Sequence, residues 1–199
     1  MEERLDPQRP SDLNPANLLT LLRLVLVPVF AVFLLEGRWT PAFFAFGVAA
    51  LTDWLDGWLA RRYGWLTALG VFIDPLADKA LQLTAFTLLA WRDHCPDWMA
   101  VLAWARELLV VAGFTLLALV AQLRTVKASW LGKSGTLAQM ASLALLLGLR
   151  AFGRPEIYES RVMLVLAVAV LLNFASGLEY AVKGFKAYDA LAGHPDRRA

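Results

Sequence analysis

The sequence predicts an all-α, polytopic membrane protein with six transmembrane helices and a polar active-site cavity that faces the cytoplasm. Hydrophobic residues make up 59% of the 199 residues, and the mean hydropathy is +0.55. Charged residues collect in short clusters between long uncharged windows, which is typical of polytopic helical proteins. Four aspartates nevertheless stand close together in apolar sequence, between Asp53 and Asp78. The net charge of +2 gives no nucleic-acid footprint, so no nucleic-acid partner is expected.

The first half of the chain predicts a polar lead-in followed by three helices. Residues 1–14 lack the apolar core of a cleaved signal peptide, so the first helix is expected to remain in the protein. That helix begins near Asn14, and its apolar run covers residues 18–35, with Arg23 inside it and Pro28 as a candidate kink. The second helix is expected over about 41–61 and the third over about 66–91, joined by a glycine-containing turn.

The second half predicts three more helices. They cover about 98–123, 137–149 and 162–180, separated by a basic connector at 124–133 and a polar loop at 150–161. The predicted domain spans residues 15–182, and residues 183–199 form a basic cytoplasmic tail. Arg106 lies within the fourth helix, and its neighbour Glu107 is not expected to pair with it, because adjacent residues point to different sides of a helix. The single cysteine, Cys95, excludes an intrachain disulfide.

The loop cations predict the orientation in the cytoplasmic (inner) membrane. With six spans, eleven cations lie on the side of the termini and five on the other side. The eleven are Arg4, Arg9, Arg61, Arg62, Arg124, Lys127, Lys133, Lys183, Lys186, Arg197 and Arg198. The five are Arg38, Arg92, Arg150, Arg154 and Arg161. By the positive-inside rule both termini and the aspartates face the cytoplasm.

The four aspartates come in two pairs. Asp53 and Asp56 are three residues apart, and Asp74 and Asp78 are four apart, so each pair shares one face of a helix. An aspartate at the membrane centre costs ~2.5–3.5 kcal/mol, so the cluster needs compensating cations. One solution is divalent metal: oxygen ligands favour Mg²⁺ or Mn²⁺, and two such ions can hold a diphosphate. The other solution is internal ion pairing with Arg23, Arg61, Lys79 and Arg106.

The aspartates belong to a longer pattern, D-x-x-D-G-x-x-A-R-x8-G-x-x-x-D-x-x-x-D. Its fixed positions are Asp53, Asp56, Gly57, Ala60, Arg61, Gly70, Asp74 and Asp78. The pattern resembles the signature of the CDP-alcohol phosphatidyltransferase family. The resemblance implies transfer of a phosphatidyl group from CDP-diacylglycerol to an alcohol, with release of CMP, by a membrane-embedded enzyme.

The resemblance also implies roles for residues. Asp53, Asp56 and Asp74 would ligate one metal ion, and Asp53, Asp74 and Asp78 a second, with Asp78 also acting as general base on the acceptor hydroxyl. The residues implied to contact CDP-diacylglycerol are Asn17, Thr20, Gly57, Arg61, Thr67 and Gly70.

Within the family, several segments resemble phosphatidylglycerophosphate synthases, whose acceptor is glycerol 3-phosphate. The segments are Asn17-x-x-Thr20-x-x-Arg23, Asp74-Pro75-x-x-Asp78-Lys79, Arg106-Glu107 and Gly132-Lys133-x-x-Thr136-x-x-Gln139. The candidates to hold the acceptor phosphate are then Arg106, Arg124, Lys127 and Lys133. The chain lacks the usual second lysine of the Gly-Lys segment and the leucine-arginine pair that often follows Arg-Glu.

Three alternatives stay open at the level of sequence. Cardiolipin synthases of the same fold share the Asp-Pro-x-Ala-Asp-Lys segment and use phosphatidylglycerol as acceptor. An intramembrane prenyltransferase and a non-catalytic ion or proton pathway are more distant alternatives. Apart from its substrates, the chain is expected to contact membrane lipid. Small residues are candidates for helix packing or a homodimer interface: Gly47, Ala49, Ala50, Gly113 and Gly148.

Overall fold

The structure, a computed structural model, describes residues 15–63, 68–121, 130–153 and 155–192. Within these ranges it contains six α-helices and no β-strand. The helices are α1 (Pro15–Leu35), α2 (Trp39–Tyr63), α3 (Ala68–Trp91), α4 (Asp97–Ala121), α5 (Trp130–Ala151) and α6 (Pro155–Ala192). The all-α class and the order of the helices are therefore confirmed.

The last two helices are longer than predicted. Helix α5 begins at Trp130, so the C-terminal end of the expected basic connector is helical. Helix α6 begins at Pro155, inside the predicted polar loop, and continues to Ala192, well into the predicted tail. Proline suits the first turn of a helix, where its missing N–H has no partner to lose. The expected end of the sixth helix near residue 180 and the polar loop expected over 150–161 were wrong, because hydropathy reports only the apolar part of a helix.

Among the residues that the structure describes, two helical segments are long and apolar enough to cross a membrane, namely Leu18–Leu35 in α1 and Ser160–Glu179 in α6. Only 22% of the first window and 39% of the second is buried. Helix α4 also presents apolar side chains outward at helical spacing, at Val101, Trp104 and Leu108. Because water-soluble monomers rarely expose contiguous apolar surface of this extent, these faces fit a membrane protein.

The chain divides into two compact units. One comprises Met1–Leu88 with Leu147–Arg154. Here α1 packs on α2, and the rings of Phe30 and Phe46, both buried, lie 5.6 Å apart between centroids. The end of α5 packs on the start of α2, where a Cβ on Gly148 would lie 3.2 Å from the Phe43 ring. The small residue Gly148 therefore serves packing within this unit.

The other unit comprises Leu89–Leu146 with Pro155–Ala199. Helix α4 packs on α6, and the buried apolar side chains include Met99, Leu143 and Leu166. Buried polar side chains accompany them: Gln139, Ser142, Asn173 and Ser176. In the apolar environment expected for these helices, such groups need internal hydrogen-bond partners.

Candidate active site

Helices α2 and α3 carry the aspartate signature. Asp53 and Asp56 lie on α2, and Asp74 and Asp78 lie on α3, as the sequence predicted. The side chains of seven of the eight signature residues lie outside the described part of the chain: Asp56, Gly57, Ala60, Arg61, Gly70, Asp74 and Asp78. Thr67 lies in the undescribed connection between the two helices. Among the described side chains no group of three or more metal-ligating residues occurs, and Asp53 is the one signature aspartate among them.

Asp53 forms an ion pair with Arg23. The Arg23 Nη1 atom of α1 lies 2.7 Å from the Asp53 Oδ1 atom of α2. The Arg23 side chain is fully buried, whereas that of Asp53 is 44% exposed. At Asp53 the negative charge is therefore compensated by an internal ion pair, one of the two possibilities that the sequence left open. A buried guanidinium held against a half-exposed carboxylate keeps that carboxylate in one orientation and leaves it accessible from one side.

Thr20 lies one turn before Arg23 on α1 and is also buried. The two residues share the helix face that packs against α2, because a spacing of three brings them to one side. Of the two α1 residues implied to contact CDP-diacylglycerol, Thr20 therefore lies on the same helix face as Arg23, the partner of Asp53. The side chain of the other, Asn17, lies outside the described residues.

Arg106 on α4 pairs with Glu107, contrary to the sequence-based expectation. Its Nη1 atom contacts Glu107 Oε1, and both side chains are largely buried, at 13% and 12% exposure. Consecutive residues do diverge around a helix, but two long flexible side chains can bend towards each other over that angle. The stem of Arg106 also packs on α6, where a Cβ on Gly177 would lie 3.1 Å from Arg106 Cγ.

The other acceptor-phosphate candidates are not described at side-chain level. Arg124 and Lys127 lie in the undescribed stretch between α4 and α5. Lys133 is on α5 rather than in a connector, and its side chain is outside the described residues.

Sequence reasoning missed a polar contact between α5 and α6. The Asn173 Nδ2 atom donates to Gln139 Oε1 and lies 3.4 Å from Thr136 Oγ1. Thr136 and Gln139 stand in a segment that the sequence singled out, but Asn173 does not. The sequence feature that could have indicated this contact is the amide side chain of Asn173 inside the apolar window of α6. A polar group within a membrane span is costly unless it has a hydrogen-bond partner.

The buried Cys95 thiol has low reactivity. Burial, with a smaller contribution from the Asp97 carboxylate, raises the pKa of the Cys95 thiol to about 11. Because the thiolate is the reactive form, this thiol is a poor nucleophile near neutral pH.

A model of the CDP-alcohol phosphatidyltransferase family matches residues 13–175. Similar curated proteins include enzymes named CDP-diacylglycerol–glycerol-3-phosphate 3-phosphatidyltransferase. Those of Shigella flexneri serotype 5b and Shigella boydii serotype 4 are 41% identical to this chain over 175 residues. That of Escherichia coli K12 is 40% identical over 175 residues. Each alignment covers 84% of this chain and 92% of the relative.

Proposed function

The chain belongs to the CDP-alcohol phosphatidyltransferase family, and we propose that it transfers the phosphatidyl group of CDP-diacylglycerol to glycerol 3-phosphate, releasing CMP. The observation that carries the proposal is the complete aspartate signature on α2 and α3. Relatives with 40–41% identity over most of the chain bear the name of this reaction, which favours glycerol 3-phosphate over phosphatidylglycerol as acceptor.

The four aspartates are proposed to hold two divalent cations, Mg²⁺ or Mn²⁺. The donor set fits such ions, because it offers carboxylate oxygens and neither imidazole nor thiolate. Asp53 supports the fit: it stays 44% exposed although its helix packs on α1. When bound, the cations would neutralise charge on the diphosphate and on the departing CMP. Asp53, Asp56 and Asp74 would hold one ion, and Asp53, Asp74 and Asp78 the other.

Asp78 is proposed as the general base. The acceptor hydroxyl oxygen forms a bond to the β-phosphorus of CDP-diacylglycerol while the bond from that phosphorus to the CMP oxygen breaks. The hydroxyl proton passes to the Asp78 carboxylate, and CMP leaves with the electron pair of the broken bond. A carboxylate positioned for this transfer typically contributes 10²–10⁴-fold to a rate.

The remaining roles concern binding. CDP-diacylglycerol would be contacted by Asn17, Thr20, Gly57, Arg61, Thr67 and Gly70. The acceptor phosphate would be held by cations among Arg106, Arg124, Lys127 and Lys133. Arg106 is supported by its packing: a largely buried guanidinium with fixed geometry is suited to bind phosphate oxygens.

The protein is proposed to span the inner membrane six times, with the site and both termini on the cytoplasmic side. The exposed apolar faces of α1, α4 and α6 support contact with membrane lipid. A homodimer is a further proposal. Of the small residues considered for its interface, Ala49 is buried within the unit that contains α1 and α2, whereas Gly47 is exposed with no atom within 4 Å of an added Cβ.

The test is CMP release by the purified protein in detergent with CDP-diacylglycerol and Mg²⁺ or Mn²⁺. Glycerol 3-phosphate, phosphatidylglycerol, inositol phosphate and serine are offered separately. We expect release with glycerol 3-phosphate, loss on chelation by EDTA, and a loss of at least about 100-fold in Asp78→Asn.

The matched control is Asp93→Asn, the same chemical change at an exposed aspartate outside the signature, which should keep full activity. Release with phosphatidylglycerol alone would identify a cardiolipin synthase instead. No release with any acceptor from folded protein would refute the proposed chemistry.

A further inference from the structure

Arg23 is a buried cation in the apolar window Leu18–Leu35 of α1. Its residue is 0% exposed, whereas the neighbouring Leu21, Leu22 and Val25 are exposed. The helix thus turns apolar side chains outward and the guanidinium inward, although burying a charge is costly. A buried ion pair is often no more stabilising than well-packed apolar side chains of similar volume. Helix packing alone therefore gives no reason for a cation at this position.

The partner of this cation is a residue of the aspartate signature. Arg23 Nη1 lies 2.7 Å from Asp53 Oδ1, which is the distance of a charge-assisted hydrogen bond. The two side chains differ in their surroundings, because that of Arg23 is 0% exposed and that of Asp53 is 44% exposed. A half-exposed carboxylate does not need a buried cation to compensate its charge. What the guanidinium supplies is a defined orientation of the carboxylate.

The ion pair and the Phe30–Phe46 contact belong to one interface between α1 and α2. Phe30 follows Arg23 by two turns of α1. Phe46 precedes Asp53 by two turns of α2, so the two contacts lie in register, about 10 Å apart along the helices. Both phenylalanines are buried, with ring centroids 5.6 Å apart. Because close packing leaves the two helices little freedom to shift, the guanidinium is a fixed partner for the carboxylate.

A fixed hydrogen-bond partner matters for a carboxylate that binds metal. Partners of this kind orient the ligand oxygen atoms, and their removal typically lowers metal affinity or activity about 10- to 100-fold. Asp53 belongs to both of the proposed ligand sets, so its orientation affects both cations. The exposed 44% of the Asp53 side chain leaves carboxylate surface for a cation while Arg23 holds Oδ1.

We propose that Arg23 is a positioning residue, whose buried guanidinium holds the Asp53 carboxylate in the orientation that binds the divalent cations. This inference rests on the proposed function and adds to it a residue that acts through Asp53. Loss of Arg23 should therefore weaken cation binding even when no substrate is present.

The experiment measures Mn²⁺ binding to the purified protein in detergent without substrate, from the electron paramagnetic resonance signal of free Mn²⁺. Arg23→Gln is expected to raise the Kd for Mn²⁺ about 10- to 100-fold. The Mn²⁺ concentration that gives half-maximal CMP release should rise by a similar factor. Should Arg23→Gln fail to fold, Arg23→Met is measured with the same expectation, because an unbranched apolar side chain suits the buried position.

Two control variants separate positioning from stability. Phe30→Leu loosens the same interface two turns away from the ion pair, so it should lower the temperature of unfolding and leave the Kd for Mn²⁺ unchanged. Arg38→Gln makes the same chemical change in the exposed pair with Glu36 and should also leave the Kd unchanged. An increase of the Kd in Phe30→Leu equal to that in Arg23→Gln overturns the inference, because the effect would then come from loosened helix packing.

Asp53→Asn tests whether the measured cations bind at this carboxylate. It changes the ligand itself, so it should weaken Mn²⁺ binding at least as much as Arg23→Gln does. Unchanged Mn²⁺ binding in Asp53→Asn overturns the inference, and so does unchanged binding in the folded Arg23 variant.

The two levels of proposal fail differently. If the unmodified protein releases no CMP with any acceptor, the proposed function is wrong. If it binds no Mn²⁺, the proposed cation site and the role of Arg23 are both wrong. If it binds Mn²⁺ and releases CMP but Arg23→Gln binds Mn²⁺ equally well, only the role of Arg23 is wrong.

Discussion

The Arg23–Asp53 pair joins α1 to α2 at the first position of the signature. A fully buried guanidinium would be very costly without a carboxylate beside it, so the pair couples helix packing to the orientation of a proposed metal ligand. The exposed pair Arg38–Glu36 in the turn after α1 differs in this respect. Its atoms lie 3.4 Å apart, and both side chains are more than half exposed, so solvent screens their attraction.

Replacing Arg23 by glutamine is expected to destabilise the protein by about 1–3 kcal/mol. It removes a charge-assisted bond, and the exposure of Asp53 keeps the loss below the 3–5 kcal/mol of a fully buried pair. Thermal unfolding in detergent measures the effect. Arg38→Gln, the same substitution in the exposed pair, should change stability by about 0–1 kcal/mol. Equal losses of stability in the two variants would show that the buried pair stabilises the protein no more than the exposed pair does.

At the scale of elements, α1 ends in a motif that requires a left-handed residue. The Arg38 N–H donates to the Phe33 carbonyl oxygen at 2.9 Å, and the Gly37 N–H to that of Leu34 at 3.1 Å. Gly37 has a φ of 73°. This is the Schellman arrangement, in which glycine avoids the steric cost of the left-handed conformation. Helix α3 ends similarly with Asp93 at a φ of 56°, a conformation that aspartate tolerates better than most residues.

Two glycine-to-alanine substitutions should therefore differ in their effect: one destabilises the protein and the other does not. Gly37→Ala places a Cβ in the left-handed conformation and is expected to cost about 1–2 kcal/mol. Gly47→Ala, inside α2 with nothing within 4 Å of the new Cβ, should be neutral or stabilising by up to about 1 kcal/mol. Thermal unfolding of both variants tests this, and a stabilising Gly37→Ala would contradict the assignment of the helix end.

At the scale of the whole molecule, the length of α6 exceeds what one membrane crossing requires. Helix α6 has 38 residues, about 57 Å at 1.5 Å per residue, which exceeds the ~30 Å hydrocarbon core. A part of α6 must then lie outside that core if the helix spans the bilayer. The apolar window Ser160–Glu179 is the part suited to the core.

Single cysteines test the six-span orientation. In a Cys95→Ser background, Arg38→Cys and Phe152→Cys, both at exposed positions after α1 and α5, should react with a membrane-impermeant maleimide on intact cells. Arg62→Cys, exposed near the end of α2, should react only after permeabilisation, because the cation-rich side faces the cytoplasm. The reversed pattern would refute the orientation, and a shared pattern at Arg38 and Arg62 would refute the crossing by α2.

The sequence alone determined the all-α class, the family and the placement of the four aspartates on two successive helices, because these depend on hydropathy and on short-range spacing. It did not determine the ends of α5 and α6, since a helix continues past its apolar residues wherever polar ones can reach solvent. The tail boundary at residue 183 and the domain limits remain predictions that the helix bounds alone do not test.

Only the tertiary structure decided which polar groups meet. Several cations could have paired with the aspartates, and the packing of α1 on α2 selected Arg23 for Asp53. Arg106 forms an ion pair with Glu107, because both side chains are long enough to meet although their Cβ atoms point to different sides of the helix. The Asn173 side chain donates a hydrogen bond to Gln139, where Gly135 lets α5 and α6 approach closely. Residues far apart in sequence compete for partners by distance and burial, and those quantities exist only once the helices have packed.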